Sequence, residues 1–174
     1  MRAAGRLYGR PTMAGAAVTI EHPNRRKASS KATRLVVVLL LVASALVLIA
    51  ILIGAWDAIA GAKALQAGYV VLYLALAFFV GRWSRGVLPL IAALAIVLMI
   101  FALVSVPGWL ERDKDGFTEP AITSGVVALL TALIVPLQLL LIACAMRGFQ
   151  QAWHVELERP EDGGRRGDAT AVPA

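Results

Sequence analysis

The chain has 174 residues, of which 59% are hydrophobic and only 16% charged, and its net charge at neutral pH is +6. Soluble domains carry about 45–50% apolar and about 25% charged residues; here the apolar excess is gathered into long uncharged runs, which argues against a water-soluble domain and for an all-α membrane protein, a four-transmembrane-helix bundle. The basic residues flank those runs, where lipid phosphates meet them, so nucleic acid is not an expected partner, and the single cysteine, Cys144, excludes an internal disulfide, a Cys-only metal site and a CxxC redox centre.

Residues 1–34, basic and rich in Gly, Ala, Arg and Pro, read as a disordered cytoplasmic N-tail. Met13 is an alternative start to Met1. The cluster Arg25, Arg26, Lys27, Lys31 and Arg34 abuts the first apolar run. It is the expected contact with anionic headgroups, at about 1 kcal/mol per basic residue near the surface; fixing topology is its other reading.

The first expected span, 35–56, carries no charge. At about 1.5 Å per residue it covers a hydrocarbon core of about 30 Å. It is longer than a signal-peptide core of about 7–15 residues and is not followed by a convincing cleavage site, and Arg25-Arg26 lacks the rest of a twin-arginine pattern, so an uncleaved span is expected.

The second span is expected over 58–80, with Asp57 as its N-cap and Lys63 snorkelling to the headgroups. A short interfacial stub, Ala58 to Ala64, ahead of the span is the alternative. Gly81 to Gly86 forms a compact basic turn. The third span, 87–106, has Pro89 in its first turn, where a missing N–H costs little, and Pro107-Gly108 is expected to end it. The loop Trp109 to Pro120 is net acidic. The fourth span, 121–146, closes on Arg147. The cytoplasmic C-tail, 148–174, begins as an amphipathic or interfacial segment and reads as disordered from Arg159. There is no convincing internal repeat.

Orientation follows from lysine and arginine placement. With the N-terminus inside, the N-tail, the Arg82/Arg85 turn and the C-tail together with Arg147 hold eight, two and four basic residues, against only Lys63, Arg112 and Lys114 outside. Trp56 and Trp109 then fall at the outer boundary and Trp83 and Trp153 at or near the inner one, in the manner of an aromatic belt. The expected location is the plasma (cytoplasmic) membrane, with both termini cytoplasmic.

An ionisable residue deep in a span marks function by default, and none of the four spans holds one. That absence argues against the class of small four-span proton-coupled exporters, which depend on a buried carboxylate. His22 and His154 lie in polar flanks, which argues against intramembrane haem ligation. The outer loop from Glu111 to Gly116 departs from a calcium loop: two basic residues intervene, and Ile122 stands where the bidentate glutamate belongs. Neither a phosphate loop, nor a nucleophile with its base, nor a metal cluster is present, so no catalytic, cofactor or metal site is read. Cys144 reads as a packed small hydrophobe rather than a lipidation site. Arg166 to Asp168 is a chance Arg-Gly-Asp.

What remains polar inside the spans is Ser44, Tyr73 and Gln138, near the midpoints of spans one, two and four. Gln138 follows Pro136, which frees the carbonyl of Ala132. These three residues are expected either to hydrogen-bond helix to helix or to line a cavity. Small-residue faces, Ser124/Ala128/Ala132, Ala50/Gly54 and Gly61/Ala64/Gly68, read as packing surfaces and secondarily as a dimer contact. The composition resembles that of small alanine- and arginine-rich bacterial membrane proteins, a likeness that carries no functional residues.

The function expected on these grounds is a non-enzymatic structural or accessory component that packs with itself as a homo-oligomer or within a larger membrane complex. Its rival is a carrier or channel for a small neutral or hydrophobic solute, using the Ser44, Tyr73 and Gln138 region. A lipid-active membrane enzyme is a weaker third reading.

Overall fold

A computed structural model describes residues 18–21, 27–59, 61–112, 120–151 and 157–160. Four helices dominate it: α1 (Ala28–Gly54), α2 (Lys63–Gly81), α3 (Leu88–Leu110) and α4 (Ser124–Gln150). They contain 27, 19, 23 and 27 residues. Each is long and apolar enough to cross a membrane. A single 3-10 turn, Arg85–Val87, leads into α3.

The helices differ from the expected spans at several ends. α1 begins upstream of the apolar run, at Ala28, and its first turns include the Thr33 hydroxyl donating to the Ser29 carbonyl at 2.9 Å. Asp57 does not cap α2. The chain leaves α1 through successive tight turns, the N–H groups of Ala58 and Ile59 both donating to Ala55 O and that of Ala62 to Ile59 O. α2 therefore starts at Lys63, with Ala62 at its N-cap and no side-chain cap, while Asp57 stays exposed. Gly61, a poor helix former, falls in this stretch.

Pro107-Gly108 does not end α3 either. The helix runs through Pro107 to Leu110. Proline forfeits one hydrogen bond, to Leu103 O, and burial of Trp109, 7% exposed, anchors the extra turn. Trp109 thus stays at the same bundle end as Trp56, with its ring packed inward.

α2 stops differently. Trp83 N–H donates to Val80 O at 3.0 Å and Ser84 N–H to Phe79 O at 3.1 Å, with Trp83 in the left-handed region at φ 66°. This is a Schellman ending with tryptophan where glycine is usual. The Arg34 guanidinium stacks 4.3 Å from the Trp83 ring and donates to Gly81 O at 3.0 Å, so the strained residue is clamped from α1.

α1 packs against α2 and α4, and α4 against α3. Consecutive α2 and α3 form no comparable helix-to-helix packing, so the bundle is a row, α2–α1–α4–α3, with a seam where its ends approach. Burial follows helical periodicity: Val37, Leu41, Ser44, Leu48 and Ile51 on α1; Ile91, Ala95, Leu98 and Ala102 on α3; Thr131, Ile134, Gln138, Leu141 and Ala145 on α4. Alanines 92, 95 and 102 on α3 and 128 and 145 on α4 let those two backbones approach closely.

Of the small-residue faces, Ser124 and Ala128 are buried and Ala132 half-buried, whereas Gly61, Ala64, Gly68 and Ala50 stay exposed. Gly54 is buried where α1 meets α4. Its carbonyl accepts from Ile122 N–H at 3.1 Å, and a Cβ there would lie 2.8 Å from Ile122 Cγ1. Only glycine fits without moving that side chain.

α1 begins and α4 ends at one end of the bundle, the end toward which the chain's terminal segments connect. Gln151 Nε2, just past α4, donates to Thr33 Oγ1 near the start of α1 at 3.0 Å. Beyond the helices, β1 (Val18–Glu21) pairs antiparallel with β2 (Leu157–Pro160), Val18 opposite Pro160 and Glu21 opposite Leu157. Val18–Glu21 and Arg159-Pro160 fall in stretches the sequence reads as disordered, and Leu157-Glu158 in the segment it reads as interfacial; the alternation in Val-Thr-Ile-Glu suits a strand. Arg25, Arg26, His22, His154 and the Arg166 to Asp168 triplet lie outside the described residues, as does most of the acidic loop.

Candidate functional site

Ser44, Tyr73 and Gln138 meet at the middle of the bundle. The Tyr73 hydroxyl donates to Gln138 Oε1 at 2.9 Å, and Gln138 Nε2 donates to Ser44 Oγ at 3.0 Å. All three are 0% exposed. The chain of bonds ties α2 to α4 and α4 to α1.

Each position has a local reason. Tyr73 is long enough to reach α4 across α1, which lies between α2 and α4 in the row. Gln138 sits on the inward stripe of α4 shared with Thr131, Ile134, Leu141 and Ala145. Ser44 is small and stands beside Ala45 on the buried face of α1, which leaves room for the amide. In a medium without water an unmade hydrogen bond is expensive, so the three groups satisfy one another. No ionisable carboxylate, lysine, arginine or histidine belongs to this cluster, and it offers neither a nucleophile paired with a base nor a metal ligand set. Among the described residues no group of three or more His, Cys, Asp or Glu lies close enough to hold a metal ion.

A cavity of about 180 Å³ lies next to this cluster, toward the end of the bundle opposite the start of α1. Its back wall includes Leu48 of α1 and Ile134 of α4, and its sides are Tyr69 of α2 and Leu98, Phe101 and Trp109 of α3. Ser44, Tyr73 and Gln138 are not among its lining residues. Tyr69 separates the two features: its ring meets Tyr73 edge-on, centroids 5.8 Å apart. The sequence reading missed Tyr69, Gln66 and Trp109. The spacing Gln66, Tyr69, Tyr73 (i, i+3, i+7) is the signal that marks the first two, because it places three polar groups on one face of α2.

The bundle ends carry cations over aromatic rings. At the end where α1 begins, Arg85 lies 4.2 Å from the Phe149 ring and Arg82 5.5 Å from Phe78. At the other, Lys63 lies 4.4 Å from Trp56 and Arg112 4.6 Å from Trp109, and Arg112 also donates to Ala58 O at 2.8 Å. Of the basic residues read as anionic-lipid contacts, Lys27 and Lys31 are exposed and Arg34 is half-buried on Trp83. Cys144 is half-buried against the core.

The chain matches no protein-family model, no curated protein and no solved structure.

Proposed function

We propose that the chain is an integral membrane protein of the plasma membrane that crosses it four times, with both termini in the cytoplasm, and that it serves as a non-enzymatic structural or accessory component of a membrane assembly. The observation that carries the membrane part is the inversion of polarity. Ser44, Thr131 and Gln138 are buried, whereas Leu46, Val71, Val104 and Leu129 are among the large apolar side chains exposed around the bundle. Soluble monomers do not present apolar surface on that scale, and a hydrocarbon solvent removes the conflict. The accessory part is supported by the use made of the central polar groups: they are bonded to one another, and they hold helices together.

The outward face Gly61/Ala64/Gly68, unused within the chain, suits close approach of another helix. Light scattering of the purified protein in mild detergent tests this. A protein mass above that of one chain is expected. A single chain that also conducts solute in proteoliposomes would favour the carrier reading, whose support is the cavity between α2 and α3.

A further inference from the structure

The cavity has three properties that together specify an occupant. The first is its opening. The back wall is sealed, with Leu48 3% and Ile134 2% exposed, but Leu65 of α2 is 51% and Phe101 of α3 46% exposed. The mouth therefore lies on the seam where α2 and α3 lack direct helix packing. In a bilayer that seam faces the hydrocarbon, so entry is sideways from lipid.

The second is an unused donor. Tyr69 lines the cavity and is only 8% exposed. Its hydroxyl makes no hydrogen bond among the described residues, yet it is not sealed off from accessible space. A buried hydroxyl is ordinarily partnered. One turn away, Gln66 donates through Nε2 to Leu48 O at 3.3 Å, which leaves its Oε1 as an acceptor. The hydroxyls of Ser105 and Thr131 donate to their own helices, to Phe101 O at 2.7 Å and Val127 O at 2.8 Å, so they present acceptor lone pairs only. Tyr69 is thus the hydroxyl donor of the site, beside the second N–H of Gln66 and the Trp109 indole N–H.

The third is size and shape. A cavity of roughly 150 Å³ with apolar walls holds one benzene, and this one, at about 180 Å³, is of that class. Tyr69, Phe101 and Trp109 give it flat aromatic walls, and no charged side chain lines it.

We propose that this cavity binds a neutral, membrane-dissolved molecule with a single-ring head bearing an oxygen acceptor, a carbonyl or hydroxyl that receives the Tyr69 hydroxyl proton. The inference rests on the membrane reading only for the route of entry. Binding is measured in detergent, so it stands or falls separately from topology.

Trp109 in the cavity wall supplies the readout. In the variant Trp56→Phe, Trp83→Phe, Trp153→Phe, its emission is titrated with 4-bromoacetophenone and with 4-bromotoluene, which has the same ring but a methyl in place of the acetyl group. Bromine quenches only on close approach. Saturable quenching by the ketone is expected, with apparent affinity roughly fivefold tighter than that of bromotoluene, as for one buried hydrogen bond. Tyr69→Phe is expected to remove that difference while leaving both probes bound. Ser105→Phe, at an exposed position of the mouth, is expected to abolish saturation without unfolding the helices, checked by circular dichroism. Equal affinities for the two probes in the unsubstituted Tyr69 protein would overturn the proposal, as would quenching that rises linearly with probe partitioned into micelles. Strong, ketone-insensitive quenching by a phosphatidylcholine brominated on its acyl chain would also overturn it, because lipid chains would then fill the site.

Discussion

Val71→Arg is expected to abolish or sharply reduce insertion of α2. Val71 lies near the middle of the shortest helix and is 68% exposed. In water an exposed valine is replaced by arginine at a cost within about 0.5 kcal/mol. At the centre of a membrane helix the same change costs about 2.5–3.5 kcal/mol on insertion scales. α2 has little surplus to absorb it, since 19 residues reach only about 28 Å at 1.5 Å each. Protease protection of the full chain in membranes gives the measurement, with Val71→Leu as control. An arginine variant that inserts as well as the control would contradict the outward-facing apolar surface as a lipid-facing one.

Gln138→Leu carries the second large effect. Leucine keeps similar bulk but removes both hydrogen bonds, to Tyr73 and Ser44. Interhelical bonds in membranes average about 0.6 kcal/mol and reach about 1.7, and a buried hydroxyl left without an acceptor adds about 1–3 kcal/mol. Ser44 recovers part of its loss by bonding within its own helix. A net destabilisation of roughly 2–3 kcal/mol is expected on these terms. Tyr73→Phe is expected to cost about 1 kcal/mol, and the double variant less than the sum, with a coupling of about 0.5–1.5 kcal/mol. Denaturant titration in mild detergent measures all three. A Gln138→Leu protein of unchanged stability would remove the helix-tying role, and loss of solute flux in that same protein would assign Gln138 to a transport path.

The sequence carried the number of helices because hydrocarbon imposes a minimum length and excludes charge, and both constraints are visible in one dimension. It carried Ser44, Tyr73 and Gln138 as individuals for the same reason: a polar residue amid apolar neighbours stands out. That Tyr73 reaches Gln138 across α1 depends on the packing order α2–α1–α4–α3, and nothing local in the chain encodes that order. Helix ends were less legible. Asp57 has the chemistry of a cap, but the turns from Ala55 to Ala62 take the chain past it before α2 begins. Pro107 looks terminal until the burial of Trp109 is known, because tertiary packing there outweighs one lost backbone bond. The cavity was least visible, since its walls come from four helices and its donor, Tyr69, resembles an ordinary packed aromatic.

The central claim is that four helices cross a membrane with both termini on the cytoplasmic side. Cysteine accessibility tests it most directly. In a Cys144→Ala background, single cysteines replace Asp57, in the exposed connection between α1 and α2, Asp115, which falls between α3 and α4 in the sequence, and Gly86, in the exposed turn between α2 and α3. A membrane-impermeant maleimide applied to intact cells is expected to label positions 57 and 115, and to reach position 86 only after permeabilisation. Labelling of position 86 in intact cells, with 57 and 115 protected, would reverse the orientation; equal labelling of all three would contradict a membrane-spanning bundle altogether.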